Sequence, residues 1–344
     1  MSVRLAPVAD PPRLMMDQGS EEPNEATVLS LLRDAGQRLL WQRQLLSHDQ
    51  PSALDALLQR EAGAALGEGG RLRPWLELMI RAYWACGEQA HTSAARRNLA
   101  LALAAFAASV WVLEVLDDLA DGDPPAAGRQ APNLALALLG ESTALLCRLP
   151  SGPRALLLPY WGSMWTLCAA AQAQDVARAA RADLTEAEAL MVARGSGLLT
   201  RWAVEAGALV AGAGADLRAP LADFGQHLGA AEKLLHDLLD LWPGTGPARD
   251  LSRWSCSLAL AVARRSGLIP REPVETADAA HALRDRLLRS GLLHYAWACS
   301  DQCRCDAANA LDRFARAGGD PTPLRGVLAL PPELQLLQME DAQL

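Results

Sequence analysis

The sequence predicts an all-α fold, a single bundle of about ten to twelve helices, and three observations support this. From Ala26 onward, apolar residues recur at spacings of three and four, which is the period of a helix with one buried face. Alanine and leucine dominate these segments, whereas the β-branched residues that favour strands are sparse. No alternating strand pattern and no glycine-rich nucleotide-binding loop is present in the sequence.

The helices are taken from the periodic segments between clusters of glycine and proline. Breaks fall at 67–70, 121–128, 212–214 and 243–247. Thr185 precedes acidic residues and is expected to cap a helix. The predicted helices are Thr27–Leu46, Ser52–Leu66, Pro74–Cys86, Ser93–Leu119, Asn133–Cys147, Pro153–Ala182, Thr185–Ala211, Pro220–Leu241, Leu251–Ser266, Ala277–Ala317 (broken near Ser290 and Gly291) and Pro332–Gln338.

Composition divides the chain into a short leader and one domain. Residues 1–25 are rich in proline and acidic residues and lack periodicity, so we expect a mobile leader there. Residues 26–344 are expected to form one domain, a length that allows a large core. The net charge of −8 argues against nucleic-acid binding, and no basic-then-apolar signal or long uninterrupted apolar run predicts stable membrane insertion.

Cysteine and lysine usage adds two expectations. The seven cysteines form an odd set without the spacing of a disulfide framework, which favours free thiols and a cytoplasmic location. A zinc site at Cys299, Cys303, Cys305 and His294 is disfavoured because the spacing does not match the usual ligand pattern. Lys233 is the single lysine, so a position that needs a cation is expected to hold arginine.

The first candidate site is the acidic end of the helix that runs into Asp121. Asp117 and Asp121 are four residues apart and share a helix face, with Asp118 beside them. The preceding residues are nearly all apolar, which predicts a buried helix that carries carboxylates to the mouth of a central cavity. Carboxylates at a negative helix C-terminus favour a bound cation, and hard oxygen ligands suit Mg²⁺; a solvated charged end is the alternative.

A second acidic helix end follows about half a chain later. Glu232, His236 and Asp240 share one helix face, with Asp237 beside them. This face could bind a metal ion, and it could equally be a surface ion-pair face with Lys233.

Two acidic helix ends in an all-helical chain resemble the trans-isoprenyl diphosphate synthases, which are class I isoprenoid synthases. The resemblance covers roughly residues 67–317, and its landmarks occur in the family's order. Gly69 to Pro74 resembles the family's glycine-lysine-arginine-x-arginine-proline loop, and Asp117 to Asp121 resembles its first aspartate-rich motif. Gln172 and Asp175 resemble a glutamine/aspartate pair, and Gly195 to Gly197 stands where the family has lysine-threonine-glycine. Gly229 to Asp240 resembles the second aspartate motif, and Asp250-Leu251 resembles the aspartate-leucine that follows it.

The resemblance implies a Mg²⁺-dependent enzyme that ionises an allylic prenyl diphosphate. Once metal ions neutralise its charge, the diphosphate can leave. A dry cavity then keeps water from quenching the carbocation that remains. The implied catalytic residues are Asp117, Asp118, Asp121, Gln172, Asp175, Asp237 and Asp240; the implied metal ligands are Asp117, Asp121, Asp237 and His236; the implied substrate-binding residues are Arg71, Arg129, Arg194, Ser196, Trp111, Val112 and Trp202. The resemblance also suggests a homodimer.

The positions that bind isopentenyl diphosphate in the family's elongating enzymes have lost most of their cations. Gly70, Val110, Gly195 and Trp254 stand where the family has lysine or histidine, although Arg71 is retained. A second diphosphate without cations is hard to accommodate, so we infer a lost isopentenyl site and expect a terpene synthase or cyclase.

Tryptophan usage supports carbocation chemistry on a small substrate. The chain has ten tryptophans but only three phenylalanines, and aromatic faces stabilise cations. We expect core packing for most of them, with Trp111 and Trp202 as pocket candidates. Trp111 and Val112 lie where the resembling enzymes set pocket depth, which favours geranyl or farnesyl diphosphate.

Three alternatives stay open at the level of sequence. A chain-elongating prenyl diphosphate synthase is the first, and transfer to an aromatic or peptide acceptor is the second. The third is a catalytically weak partner subunit, because His236 replaces the first aspartate of the second motif, and Glu232 and Lys233 replace its usual phenylalanine and glutamine. Imidazole is a poor ligand for Mg²⁺.

Overall fold

The computed structural model describes residues 74–86, 93–121, 131–179, 181, 183–241, 257–269 and 277–329 of the 344-residue chain. Within these ranges the regular elements are helices, which confirms the all-α prediction. They are α1 (Pro74–Ala85), α2 (Ser93–Asp121), α3 (Ala131–Cys147), α4 (Ser151–Ala179), α5 (Glu186–Ser196), α6 (Leu198–Val210), α7 (Ala215–Leu241), α8 (Leu258–Arg265), α9 (Ala277–Arg289), α10 (Leu292–Arg316), α11 (Thr322–Arg325) and a 3₁₀ turn (Gly326–Leu328).

Some sequence predictions fall on other parts of the chain. The leader at residues 1–25 and the helices predicted at 27–46, 52–66 and 332–338 lie outside the described residues. The single domain at 26–344 therefore stays a prediction.

Helices α5 and α6 form where the sequence predicts one helix, Thr185–Ala211. The break is at Gly197, whose position would place a Cβ atom 2.4 Å from the carbonyl oxygen of Gln226 on α7. The chain turns here because glycine weakens a helix interior and because α7 approaches too closely for a side chain. The predicted cap is confirmed: Thr185 and Glu188 form a reciprocal capping box.

Helix α7 begins at Ala215, five residues before the predicted start at Pro220. Proline is common in the first turn of a helix, which made Pro220 the expected beginning. Its missing N–H removes a single hydrogen bond near the helix start, and the rest of α7 continues to Leu241.

Helix α6 lies between the two helices that carry the acidic ends. It packs against α1 and α2 on one side and against α7 on the other, and α7 packs most extensively against α10. The buried residues form two clusters. One contains the buried part of α2, and the other contains Leu234, Leu238 and Leu241 from the last turns of α7. The apolar residues beside the acidic ends of α2 and α7 therefore belong to different clusters.

Glycines bring α6 and α7 close together. A Cβ atom added to Gly225 would lie 2.6 Å from the Cα atom of Arg201, and one added to Gly229 would lie 2.7 Å from that of Gly197. Because backbone cannot move aside as a side chain can, these two positions fix how deeply α7 sits against α6.

Helix α2 is a core helix with unusual length and apolarity. Its segment Arg97–Ala120 spans 24 residues, and the most apolar 18-residue window within it has a mean hydropathy of 2.2, which is enough to cross a membrane. However, 83% of its most apolar window is buried among the other helices. Such burial is that of a helix in a protein core.

An aromatic cluster fills the interior behind the acidic end of α2. Trp202 on α6 has no exposed surface, and its ring meets those of Phe106, Trp161 and Trp165 edge to face. Edge-to-face pairs add attraction beyond the burial of their area. The central cavity stays a prediction, since this part of the interior is closely packed with rings.

Candidate active site

The acidic end of α2 emerges from the core as the sequence predicts. Ten of the eleven side chains from Leu103 to Leu113 are buried, and so is Val115. Asp117 is exposed and Asp118 is half-buried, whereas the side chain of Asp121 is outside the described residues. The helix thus carries at least two carboxylates from a dry interior to a solvent-accessible end.

A hydrogen bond connects this end of α2 to α4. The side-chain amide of Gln172 donates to Oδ1 of Asp117 at 2.7 Å, across 55 residues of sequence. Asp175, the other member of the predicted pair, is half-buried on the same helix. The structure therefore brings together two of the residues that the sequence assigns to one site, Asp117 and Gln172.

The acidic end of α7 has a different environment. Asp237 is 9% exposed, and its Oδ1 lies 2.9 Å from Nζ of Lys233, one turn earlier on the same helix. His236 is exposed, and Asp240 is half-buried with its main-chain carbonyl accepting a hydrogen bond from Nη2 of Arg284 at 2.8 Å. The structure thus contains an ion pair between Lys233 and Asp237, and metal binding at this face stays a prediction.

The predicted substrate-binding residues fall into two groups. Trp111 and Val112 are 7% and 2% exposed, so they pack in the core below Asp117, and Trp202 is wholly buried. Arg194 and Ser196 lie at the exposed end of α5. The hydroxyl of Ser196 donates to the main-chain carbonyl of Val192 on its own helix at 3.4 Å. Arg71 and Arg129 lie outside the described residues, and the assignments in both groups stay predictions.

The donor atoms at the two acidic ends differ in their fit to a divalent cation. Carboxylate oxygens at the exposed end of α2 are the hard ligands that Mg²⁺ prefers. At α7 one carboxylate is nearly buried against an ammonium group and the neighbouring side chain is an imidazole, a set that suits Mg²⁺ poorly. Among the side chains that the structure describes, no three potential ligands of the Asp, Glu, His or Cys type gather around one point. The proposed metal set of Asp117, Asp121, Asp237 and His236 stays a prediction.

A buried polar cluster between α4 and α6 was not predicted. Glu205 is 7% exposed, and its Oε2 accepts hydrogen bonds from the hydroxyl of Tyr160 at 3.2 Å and from Nε of Arg201 at 2.8 Å. Burial and the negative charge of Glu205 raise the pKa of Tyr160 well above its ordinary value, so the phenol stays protonated. Arg201 and Glu205 are four residues apart, a spacing that could have indicated their ion pair, but nothing in the sequence indicates Tyr160.

The cysteines in the described residues are free thiols, as expected. Burial raises the pKa of Cys168 to about 11 and that of Cys86 to about 12, which keeps both thiols protonated and unreactive at neutral pH. Cys299, Cys303 and His294, from the disfavoured zinc site, belong to no metal-binding cluster among the described residues.

Comparisons with known proteins identify the fold but give no sequence relative. A scan with protein-family models finds no match to this chain, and a search of curated proteins finds none either. Solved structures do match. A geranylgeranyl pyrophosphate synthetase from Geoglobus acetivorans superposes with a TM-score of 0.66 at 20% identity, over 89% of this chain and 97% of that one.

Two further structures agree with the first. A decaprenyl diphosphate synthase from Rhodobacter capsulatus has a TM-score of 0.66 at 17% identity, over 88% of this chain and 97% of that one. A polyprenyl synthase from Caulobacter crescentus CB15, crystallised with calcium and isoprenyl diphosphate, has a TM-score of 0.62 at 19% identity, over 89% and 95%. The order of helices, the position of the acidic end of α2 and these superpositions together show that the chain has the isoprenoid synthase fold.

Proposed function

We propose that this protein is an isoprenoid synthase that acts on an allylic prenyl diphosphate at the acidic end of α2. The observation that carries the proposal is the 2.7 Å hydrogen bond from Gln172 to Asp117, which joins two motifs of the sequence at one place. The shared fold and the family order of the sequence landmarks support it further. A fold by itself does not determine a reaction, so this assignment depends on the site.

The residues of α2 and α4 have definite tasks in this proposal. Asp117 and Asp121 would hold Mg²⁺ with Asp118 in support, and Gln172 orients the carboxylate of Asp117 through its amide. A bound Mg²⁺ supplies the charge neutralisation that lets diphosphate leave. The buried residues behind the carboxylates, among them Trp111 and Val112, keep water away from the carbon that loses the diphosphate.

Chain elongation is the reaction that the comparisons favour. The three similar structures described above are named as synthases of prenyl diphosphates or polyprenyl chains. Such products are made by prenyl transfer. We therefore place a prenyl diphosphate synthase first, ahead of the terpene synthase that the sequence favours. Incorporation of radiolabelled isopentenyl diphosphate into a longer prenyl diphosphate tests this directly.

A terpene synthase is the second candidate, because the structure has little room for two cations of the isopentenyl site. Val110, at the position of the family's histidine, is 2% exposed in the core. Gly195, at the position of a family lysine, would place a Cβ atom 3.2 Å from that of Ala171 on α4. A hydrocarbon or alcohol product from geranyl or farnesyl diphosphate alone would favour this candidate.

One experiment separates the possibilities. The protein is incubated with geranyl, farnesyl and geranylgeranyl diphosphates, each with and without isopentenyl diphosphate, in Mg²⁺ and in EDTA. Asp117→Asn should lower product formation by at least about 100-fold, and Asp285→Asn, which removes an exposed carboxylate on α9, is the matched control. No turnover under any condition would contradict both enzymes and favour a weak partner subunit. A homodimer and a cytoplasmic location stay predictions.

A further inference from the structure

Helix α4 carries Gln172 to Asp117, and one point along this helix is weaker than the rest. Pro159 lies inside α4 on its exposed side, and its missing N–H removes the helical hydrogen bond to the main-chain carbonyl of Ala155. The hydroxyl of Ser163 donates back to the carbonyl of Pro159 at 3.0 Å, a bond that tends to bend a helix. The helix can therefore pivot at Pro159, and the contacts that follow decide where Gln172 lies.

Two side chains hold α4 immediately after the proline, and they contact different helices. The hydroxyl of Tyr160 donates to Oε2 of Glu205 on α6 at 3.2 Å. The indole N–H of Trp161 donates to the hydroxyls of Ser109 on α2 and Ser142 on α3. Successive residues of a helix are about 100° apart around its axis, so these contacts act on two different sides of α4. Together they restrict both the tilt and the rotation of the segment that leads to the site.

The acceptor of the Tyr160 hydroxyl is itself fixed. The same Oε2 atom of Glu205 accepts a hydrogen bond from Nε of Arg201, one turn earlier on α6, at 2.8 Å. Gly225 on α7 lies directly against Arg201, since a Cβ atom added to this glycine would be 2.6 Å from the Cα atom of the arginine. Helix α6 thus gives Tyr160 a firm support. Burial and the charge of Glu205 raise the pKa of Tyr160, so its hydroxyl remains a donor at neutral pH.

The neighbouring contacts of this segment are apolar. Met164 and Cys168 are buried, and the ring of Trp165 meets that of Trp202 on α6 edge to face. The hydrophobic effect has no direction, so burial of these side chains tolerates a small movement of one helix against the other. The hydrogen bond from Tyr160 supplies the direction that this packing lacks.

A small rotation at Pro159 is amplified along α4. Gln172 lies twelve residues after Tyr160, which is about 18 Å along the axis at a rise of 1.5 Å per residue. Over this length a rotation of about 3° moves the far end by roughly 1 Å. Such a shift is enough to take the 2.7 Å bond from Gln172 to Asp117 beyond hydrogen-bonding distance.

We propose that Tyr160 is a positioning residue, whose hydrogen bond to Glu205 locks α4 beyond Pro159 and thereby holds Gln172 against Asp117. The proposal rests on the proposed function for the chemical role of Asp117. The lock itself is a property of α4, and it is measurable without turnover.

The lock is tested by NMR of the Gln172 side-chain amide in protein made with isotope-labelled glutamine, its signal being identified by its loss in Gln172→Ala. Tyr160→Phe keeps the ring and removes the hydroxyl, and it should shift this signal toward that of a free amide. Tyr295→Phe is the matched control, because the Tyr295 hydroxyl also bonds a glutamate, Glu186, between two other helices. An unchanged Gln172 signal in Tyr160→Phe would overturn the proposal.

Further variants distinguish the lock from a general loss of packing. Glu205→Gln keeps an oxygen that accepts from Tyr160 and should leave the Gln172 signal near its wild-type position, whereas Glu205→Leu should shift it. Pro159→Ala restores the missing helical hydrogen bond, so its addition to Tyr160→Phe should return the signal toward that of the wild type. Equal shifts in the two Glu205 variants, or no recovery with Pro159→Ala, would contradict the lock.

Kinetics connect the lock to the reaction. Tyr160→Phe should lower kcat by several-fold, and by no more than the roughly tenfold expected for Gln172→Ala. In the Gln172→Ala background, Tyr160→Phe should cause no further loss, because it acts through Gln172. An additional loss there would exclude the positioning role. If the wild type shows no turnover, the proposed function fails, while the NMR comparison still decides whether Tyr160 locks α4.

Discussion

Helices α2 and α7 both end in closely spaced aspartates, but the surroundings of the two ends differ. Asp117 on α2 is exposed and accepts a hydrogen bond from a neutral amide on another helix. Asp237 on α7 is nearly buried and is paired with an ammonium group on its own helix. The Gln172 amide is neutral, whereas the Lys233 ammonium brings a positive charge to its carboxylate. Two helix ends with similar aspartate spacing thus differ in the burial of their carboxylates and in the charge of a neighbouring side chain, which the spacing alone does not indicate.

The largest expected effect comes from removing a carboxylate at the exposed end. Asp117→Asn should lower kcat/KM by at least about 100-fold, the size typical of losing one group that stabilises developing charge. Asp237→Asn should cost clearly less, because that carboxylate is already neutralised by Lys233. Steady-state kinetics with Mg²⁺ and farnesyl diphosphate measure both variants. Equal losses would remove the distinction between the two ends.

The next effect concerns the position of α7. Gly229→Ala would place a Cβ atom 2.7 Å from the backbone of Gly197, so we expect a loss of about 1–3 kcal/mol in the free energy of unfolding. Gly162→Ala on α4 meets nothing within 4 Å, and it should be neutral or stabilise by roughly 0.5–1 kcal/mol. Urea denaturation of the two variants gives the comparison. A Gly229→Ala protein as stable as the wild type would show that α6 and α7 can separate easily.

A smaller effect is expected from the amide that supports Asp117. Gln172→Ala removes the hydrogen bond to Asp117 and should lower kcat by roughly tenfold, the equivalent of one hydrogen bond to a charged group. Gln174→Ala is the matched control on the same helix, since the Gln174 side chain pairs with Arg178 instead. Comparable losses in both variants would indicate a general change in α4 and would contradict the orienting role of Gln172.

The smallest effect is a pH dependence of stability at the start of α5. Hydrogen bonds from the backbone and side chain of Thr185, and then from Arg181, lower the pKa of Glu188 from 4.5 to about 2. The ionised carboxylate of Glu188 therefore stabilises the folded protein fully above pH 4.5, and this contribution is lost as the pH falls through 2. The difference in Tm between the wild type and Glu188→Gln should be constant from pH 7 to pH 5 and shrink toward pH 2. A difference that persists at pH 2 would contradict this account.

The sequence predicts local features of this protein better than its long-range contacts. The helical period and the buried run before Asp117 both depend on neighbouring residues, and both are confirmed. The break at Gly197 depends on how closely α7 approaches, and the hydrogen bond from Tyr160 to Glu205 joins residues 45 positions apart on two helices. Such contacts have no local pattern. The pairing of Lys233 with Asp237 is local, and spacing alone left its role open because burial decides it.

The indole nitrogen of Trp161 on α4 donates to the hydroxyls of Ser109 on α2 and Ser142 on α3, at 3.0 and 3.1 Å. Ser109 is about 12 Å along the helix from Asp117, at a rise of 1.5 Å per residue. Three helices are thus fastened at a point only about two turns below the exposed carboxylate. This anchoring restricts the segment of α2 that presents Asp117, so a charged ligand that binds there, as we propose, would cost the protein little conformational freedom.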